Sequence, residues 1–348
     1  MAADQVLALE VVTADGRFFT ASPTSNSDLF WALRGGGGST FGIVTSVILK
    51  VYPKIPITIS QFSFAPSANV STEAFWAGVR TLWDYSTRFT DAGAYLYFWI
   101  WNIGGEYRLD MQPFFAPNMT VEDFNQLVQP WFDQLYALGI PITPNTTYYT
   151  NFWDAVQASM SDETIGAAYV RQGSRLFPRA NYEDPVKLNA TFAAVRHTVE
   201  SGYSVIGYHI APRNPQNVDN AVNTAWRTAQ SHLITATMVQ DAENATAAEV
   251  KVASDTLTYD VLAPWRAVAP NSAGGGVYLN EADIQEPDWQ AAFYGSNYPQ
   301  LYRLKQKWDP RGVFYATTGV GSENWVVQDG DQGVQLSLIH ISEPTRPY

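Results

Sequence analysis

The chain has no cysteine among its 348 residues, which excludes disulfides, thiolate metal sites and a cysteine nucleophile within it. Basic residues are scarce: 21 Lys and Arg stand against 33 Asp and Glu, a formal charge of −12, which argues against a polyanionic partner such as nucleic acid. No apolar run approaches the roughly 20 residues a membrane helix needs, so no membrane partner is expected. The opening MAADQVLALEVV lacks both a basic n-region and a cleavage site. Histidines are few, and His197, His209, His232 and His340 are scattered without metal-ligand spacing, so no metal site is expected.

What is present is apolar and aromatic. With 46% hydrophobic and 16% charged residues the chain can bury a core large enough for two domains. Sequons at Asn69, Asn118, Asn145, Asn189 and Asn244 point to a secreted glycoprotein.

Val6 to Thr13 reads as a buried strand, turned by Ala14-Asp15-Gly16 into Arg17 to Thr20, since Asp-Gly supplies the positive φ of a tight hairpin. Ser27-Asp28 offers a cap for a short helix through Leu33, and a strand follows from Ile43 to Val51. In Tyr95 to Trp101 the odd positions are all aromatic, so one sheet face would be lined by amphipathic rings. Val121 to Leu138, capped by Thr120, carries one apolar stripe that Pro130 should kink or split, and another helix is expected around Val218 to Ala229. The Gly274-Gly275-Gly276 run should lead into a short strand, a Trp-containing helix and a helix from Asn297 to Trp308. The pattern is α+β, with helices covering a largely antiparallel sheet. It fades near Gln328, and Leu336 to Tyr348 reads as an appended, non-native tail.

Gly35 to Gly38, followed by Ser39-Thr40-Phe41-Gly42, lies between a helix and a strand. Without Cβ atoms its amides can approach a ligand and form an anion-binding concavity suited to a pyrophosphate. A Walker loop would need Lys-Ser/Thr where Ile43 and Val44 stand, and a dinucleotide fingerprint needs the opposite element order.

The string DLFWALRGGGGSTFGIVTSVILKVYP resembles the segment that closes the FAD-binding domain of berberine-bridge-like oxidases, a branch of the vanillyl-alcohol-oxidase flavoproteins. NYPQLYRLKQKWDPRGVFYATTGVGSE resembles their C-terminal signature. The resemblance implies residues 1–55 as the last piece of a PCMH-type FAD-binding domain, 56–273 as a substrate domain with a large antiparallel sheet, and 274–328 as a segment returning to the flavin domain. It implies FAD as cofactor, with covalent attachment and a signal peptide upstream of Met1. It assigns Gly36, Gly37, Gly38, Phe41, Gly42 and Val44 to the adenosine and pyrophosphate end through backbone atoms. Asn280, in a strand Tyr278-Leu279-Asn280, and Asn297 fall on the flavin side, Asn297 having the alternative of a plain helix cap.

Members oxidise an alcohol, sugar lactol or activated carbon of a small-molecule substrate, with molecular oxygen as the usual acceptor and a side-chain base taking the proton. Tyr278 is the first candidate for that base and Tyr208 the second. Arg171 and Arg175 could bind substrate oxygens or activate a tyrosine, with surface pairing as the plainer alternative. A competing reading is a secreted carbohydrate-binding protein without redox activity, in which the rings of Tyr95 to Trp101 stack on sugar faces.

Overall fold

The computed structural model describes residues 1–38, 40–160, 167, 169–239, 241, 243–330 and 333–338. The chain forms two compact units, one made of 1–51, 214–223 and 288–348, the other of 52–213 and 224–287. The second boundary therefore falls after Pro287, whereas the sequence signal placed it at Gly274, and a short excursion at 214–223 joins the first unit.

In the first unit β1 (Val6–Val12) pairs antiparallel with β2 (Phe18–Ala21) and β3 (Ile43–Leu49), giving the order β2-β1-β3. Gly16 takes φ 79° in the Asp-Gly turn, as a tight hairpin requires. The helix Ser27–Leu33 is capped differently from expectation: Asn26 is the N-cap, left-handed at φ 46°, and its Nδ2 donates to Thr20 O. β3 is an edge strand with Ile43, Val44, Val47, Ile48 and Leu49 all exposed. An apolar edge of this kind is a surface that further chain or a ligand ordinarily covers.

The helix Tyr298–Trp308 closes this unit through a buried cation. Lys305 Nζ donates to Asp309 Oδ2 at 2.7 Å, Thr40 O at 2.8 Å and Phe314 O at 2.6 Å, which ties the end of the glycine loop to the C-terminal turn. Burial lowers the Lys305 pKa while Asp309 opposes that shift. The expected stop at Asp309-Pro310-Arg311-Gly312 is built by the Asp309 carboxylate, which accepts the Val313 and Phe314 amides. Beyond Gln328 the backbone keeps a pattern after all: Trp325–Gly330 pairs with Gly333–Leu338, and 339–348 lie outside the described residues.

The second unit is a seven-stranded sheet under helices. β4 (Ile57–Phe64), β5 (Tyr95–Ile103), β6 (Glu106–Pro117), β7 (Asn145–Tyr149), β8 (Val170–Pro178), β9 (Val205–His209) and β10 (Ala229–Met238) lie in the order β7-β4-β6-β5-β9-β10-β8. Every pairing is antiparallel. Along β5 the alternation is clean: Leu96, Phe98 and Ile100 are fully buried, and Tyr95, Tyr97, Trp99 and Trp101 stand half-buried on the opposite face.

The buried face packs on Thr72–Asp91, whose Ser71 cap accepts the Ala74 amide and whose Phe75, Trp76, Val79, Leu82, Trp83 and Phe89 are all interior. Each such side chain contributes about 1.5–3 kcal/mol of transfer free energy. Of the kink or split expected at Pro130, the split does not occur: Val121–Ala137 runs on through it as one element. Phe124 and Val128 before the proline, and Trp131 and Leu135 after it, are buried in the same core and hold both halves.

The helix expected around Val218 to Ala229 does not form; only Thr224–Arg227 makes a 3-10 turn. Its first part is held in the other unit, where Trp31 Nε1 donates to Asp219 at 2.9 Å, while Ala229 onward is claimed by the β8 and β9 ladders. After the triple glycine, Gly276 makes one isolated bridge to Leu176 and Leu279–Glu281 is a 3-10 turn, so the Tyr-x-Asn strand is absent. The Gly276 carbonyl accepts the Leu176 amide, and the turn that follows leaves no extended partner for residues 278–280.

Candidate active site

The glycine loop sits in the first unit, and its glycines serve different ends. A Cβ on Gly36 would lie 2.6 Å from Ala32 O and 2.7 Å from both Leu301 and the Phe41 ring. On Gly42 it would meet Val11 at 2.6 Å and Val12 O at 2.7 Å. Both are glycine because the backbone packs closely, and the Phe41 ring is itself fully buried, leaving only its backbone to meet a ligand. Gly37 takes φ 96°, and a Cβ on the exposed Gly38 would meet nothing within 4 Å. Val44 is exposed on β3. Gly38 thus offers open backbone of the kind an anion can approach without displacing protein atoms.

These differences predict separable variants. Gly36→Ala should cost about 1–3 kcal/mol by overpacking. Gly38→Ala should leave thermal unfolding unchanged and weaken FAD retention. Equal melting temperatures for the two variants, or undiminished flavin content in Gly38→Ala, would refute this division.

Asn297 stands at the cap position of Tyr298–Trp308 without capping it. Its Nδ2 donates instead to Val222 O at 2.9 Å, so its side chain fastens the 214–223 excursion inside the first unit.

The proton-handling candidates lie in the second unit. The β9/β10 register sets His232 directly opposite Tyr208, and the β5/β9 register sets Tyr208 opposite Tyr97. Tyr208 stacks on Tyr97 with centroids 5.0 Å apart and planes at 8°, and on His232 at 5.7 Å and 15°. Tyr278 meets the His232 ring edge-on at 5.8 Å, and Trp226 lies 5.5 Å from Tyr278 and 5.4 Å from His232. Asn280 Nδ2 donates to the Tyr278 hydroxyl at 2.7 Å.

His232 is almost wholly buried, and its Nε2 lies 3.3 Å from Glu281 Oε2 without hydrogen-bond alignment. Burial pushes its imidazole down to about 3, so it is neutral at ordinary pH. The two tyrosines chosen from sequence are therefore joined through a histidine that sequence reasoning dismissed for lacking metal-ligand spacing. Trp226 and Glu281 were missed as well. Glu281 follows Asn280 directly, which is the one local signal that could have found it.

Arg175 is neither a surface pair nor a group that reaches a tyrosine: it is 2% exposed. Its guanidinium donates to Glu286 at 3.0 Å, to Asn271 at 2.7 Å and twice to Ala269 O. Glu286 also accepts from Arg266 at 3.1 Å. Desolvation lowers Arg175 to about 10 against the pull of Glu286, and raises Glu286. This network anchors residues 269–286, and with them Tyr278, to β8. Arg171, at the far end of β8, donates from Nη1 to the Val170 carbonyl. A cavity of about 210 Å³ beside His197 and Asp260 contains none of the candidate residues.

Residues 277–321, which carry Tyr278, Asn280 and Asn297, match the family described as "Berberine and berberine like". The chain is 36% identical to the FAD-linked oxidoreductase patO of Penicillium expansum over 97% of its own length and 57% of that protein's. It superposes on the crystal structure of the VAO-type flavoprotein MtVAO615 from Myceliophthora thermophila with a TM-score of 0.84 at 32% identity, covering 97% of this chain and 60% of that one. The Acremonium strictum glucooligosaccharide oxidase, at 19% identity and a TM-score of 0.69, shares the fold over 92% of this chain and 66% of its own. The chain spans a little over half the length of the curated relatives it matches. With its large antiparallel sheet, its berberine-like segment and these relatives, the chain belongs to the FAD-linked, VAO-type flavoproteins of the berberine-bridge-like branch.

Proposed function

We propose that the protein works as an FAD-dependent oxidase that takes a hydride from an alcohol, sugar or other activated carbon of a small molecule and passes the electrons on to oxygen. The observation that carries this reading is the convergence of Tyr278, His232, Tyr208 and Trp226 on one sheet face, within the family that the 277–321 segment defines. Bound FAD supplies the hydride acceptor. Gly38 would meet its pyrophosphate through open backbone, and β3 is where the rest of a flavin domain would cover the exposed apolar edge.

Tyr278 takes the substrate proton. The Asn280 amide donates to its oxygen at 2.7 Å and fixes the orientation of the phenol. His232, neutral through burial, meets its ring edge-on at 5.8 Å. Rings on both flanks hold the phenol in place and exclude water from one side. Loss of substrate-driven flavin bleaching in Tyr278→Phe, with flavin content retained, tests the assignment.

Rings that already stack on one another, such as Trp99 on Trp101 at 4.3 Å and 8°, have one face covered and offer less to a sugar than isolated rings would. Secretion is supported by exposure of all five sequon asparagines. A fall in intact mass on enzymatic N-deglycosylation of protein from a eukaryotic host is expected, and an unchanged mass would count against it.

A further inference from the structure

The half-buried rings of the sheet do more than line a surface. From Tyr278 the series runs to His232 at 5.8 Å, to Tyr208 at 5.7 Å, to Tyr97 at 5.0 Å, to Trp99 at 6.5 Å and to Trp101 at 4.3 Å. All six belong to one unit, and five sit on adjacent strands in fixed register. The series ends beside the exposed Ile103–Gly104–Gly105–Glu106 turn.

Its hydrogen bonds differ along its length. Trp99 Nε1 donates to the Tyr97 hydroxyl at 2.8 Å, a weak proton acceptor. Trp101 Nε1 donates to the Asp110 carboxylate at 2.7 Å, and Asp110 is 5% exposed. An oxidised indole is a strong acid at nitrogen, so of these two tryptophans only Trp101 has a base in place to receive its proton. Arg108, paired with Asp110 at 2.8 Å and 5.9 Å from the Trp101 ring, opposes oxidation there but leaves the acceptor in position.

We infer that the series from Tyr278 through Trp99 to Trp101 is a hole-transfer path that carries oxidising equivalents from the reaction cluster to the rim of the sheet. Tyr278 loses one electron to a one-electron oxidant, of the class a flavin–oxygen reaction produces by side reaction, and its phenolic proton to water. Electrons then move inward from Tyr208, Tyr97, Trp99 and Trp101 in turn, with His232 as the bridge, and Tyr278 regains its electron and proton. Trp101 ends one electron short, with its N–H proton on Asp110. A one-electron reductant from solvent, such as ascorbate, restores the indole as the proton returns. The benefit is protection of Tyr278, and in that respect the path rests on the oxidase reading.

The test needs neither substrate nor bound flavin, so its failure leaves that reading intact. The 348-residue protein is irradiated in air with free riboflavin as photo-oxidant, and oxygenated tryptophan is mapped by peptide mass spectrometry. Trp153, 66% exposed, reports oxidation that simply follows accessibility. Tyr208→Phe keeps the ring and never touches Trp101, yet removes a residue that can hold the hole. A several-fold loss of Trp101 oxidation is expected in Tyr208→Phe and again in Asp110→Asn, with Trp153 unchanged. Tyr97→Phe is the substitute should Tyr208→Phe fail to fold. Trp101 oxidation that is absent in the parent protein overturns the inference, and oxidation that is unchanged when the path is cut means direct attack from solution and overturns it as well.

Discussion

Replacing Tyr278 with phenylalanine should slow reduction of the bound flavin by substrate about 100- to 10,000-fold, the usual contribution of a positioned general base. The ring and its edge contacts with Trp226 and His232 are conserved in the variant. What is lost is one hydroxyl, the atom to which Asn280 donates. Flavin content should be unchanged, because the open backbone at Gly38 belongs to the other unit. Tyr208→Phe should be milder, since Tyr208 stacks on Tyr95, Tyr97 and His232, and the His232 ring lies between it and Tyr278. Stopped-flow reduction of Tyr278→Phe within about threefold of the parent would mean that another group takes the proton.

The second large effect is on stability. His209 is fully buried among Trp83, Phe98 and Tyr182, with neither ring nitrogen hydrogen-bonded, and burial pushes it down to about 3, as it does His232. Above the ordinary histidine value of 6.5 both are neutral folded or unfolded, so no proton is linked to folding. As pH falls from there toward about 3, the unfolded chain binds two protons that the folded chain refuses, and stability is lost progressively. Two such sites make the unfolding free energy fall by about 2.7 kcal/mol per pH unit.

Glu286, raised by its burial, works the other way and blunts the acid end of this window. Between about pH 6 and 5 the histidines dominate, because most carboxylates titrate lower. His209→Phe should roughly halve the slope, since the ring is kept in an aromatic box and the titrating group removed. Denaturant unfolding followed by tryptophan fluorescence across this range measures it. A pH-independent midpoint in the parent protein would show that the two imidazoles titrate normally in the fold.

Much of this was legible before any coordinates, where the signal is carried by covalent neighbours. The alternation in Tyr95 to Trp101 predicts a strand with one buried and one ring-lined face, and β5 has both. The Asp-Gly turn, the Thr120 cap and the helix from Tyr298 to Trp308 are equally local. The 218–229 stretch is not helical, and Pro130 does not split its helix, for one reason: propensity is a weak prior, and burial on both sides of a proline, or capture of a strand by a ladder, outweighs it.

The sequence by itself determined the family, through two long strings that need no partner to be recognised, and the α+β class. Only the tertiary structure decided that His232 stands opposite Tyr208, that Glu281 comes within 3.3 Å of it, and that Arg175 is an interior anchor bound to Glu286. It also decided which loop glycines are closely packed and which are open. Periodicity and capping repeat over a few residues and are written into adjacent positions. Strand register and the burial of a charge depend on segments 24 to 111 residues apart, and a one-residue slip in that pairing would turn His232 to the other face.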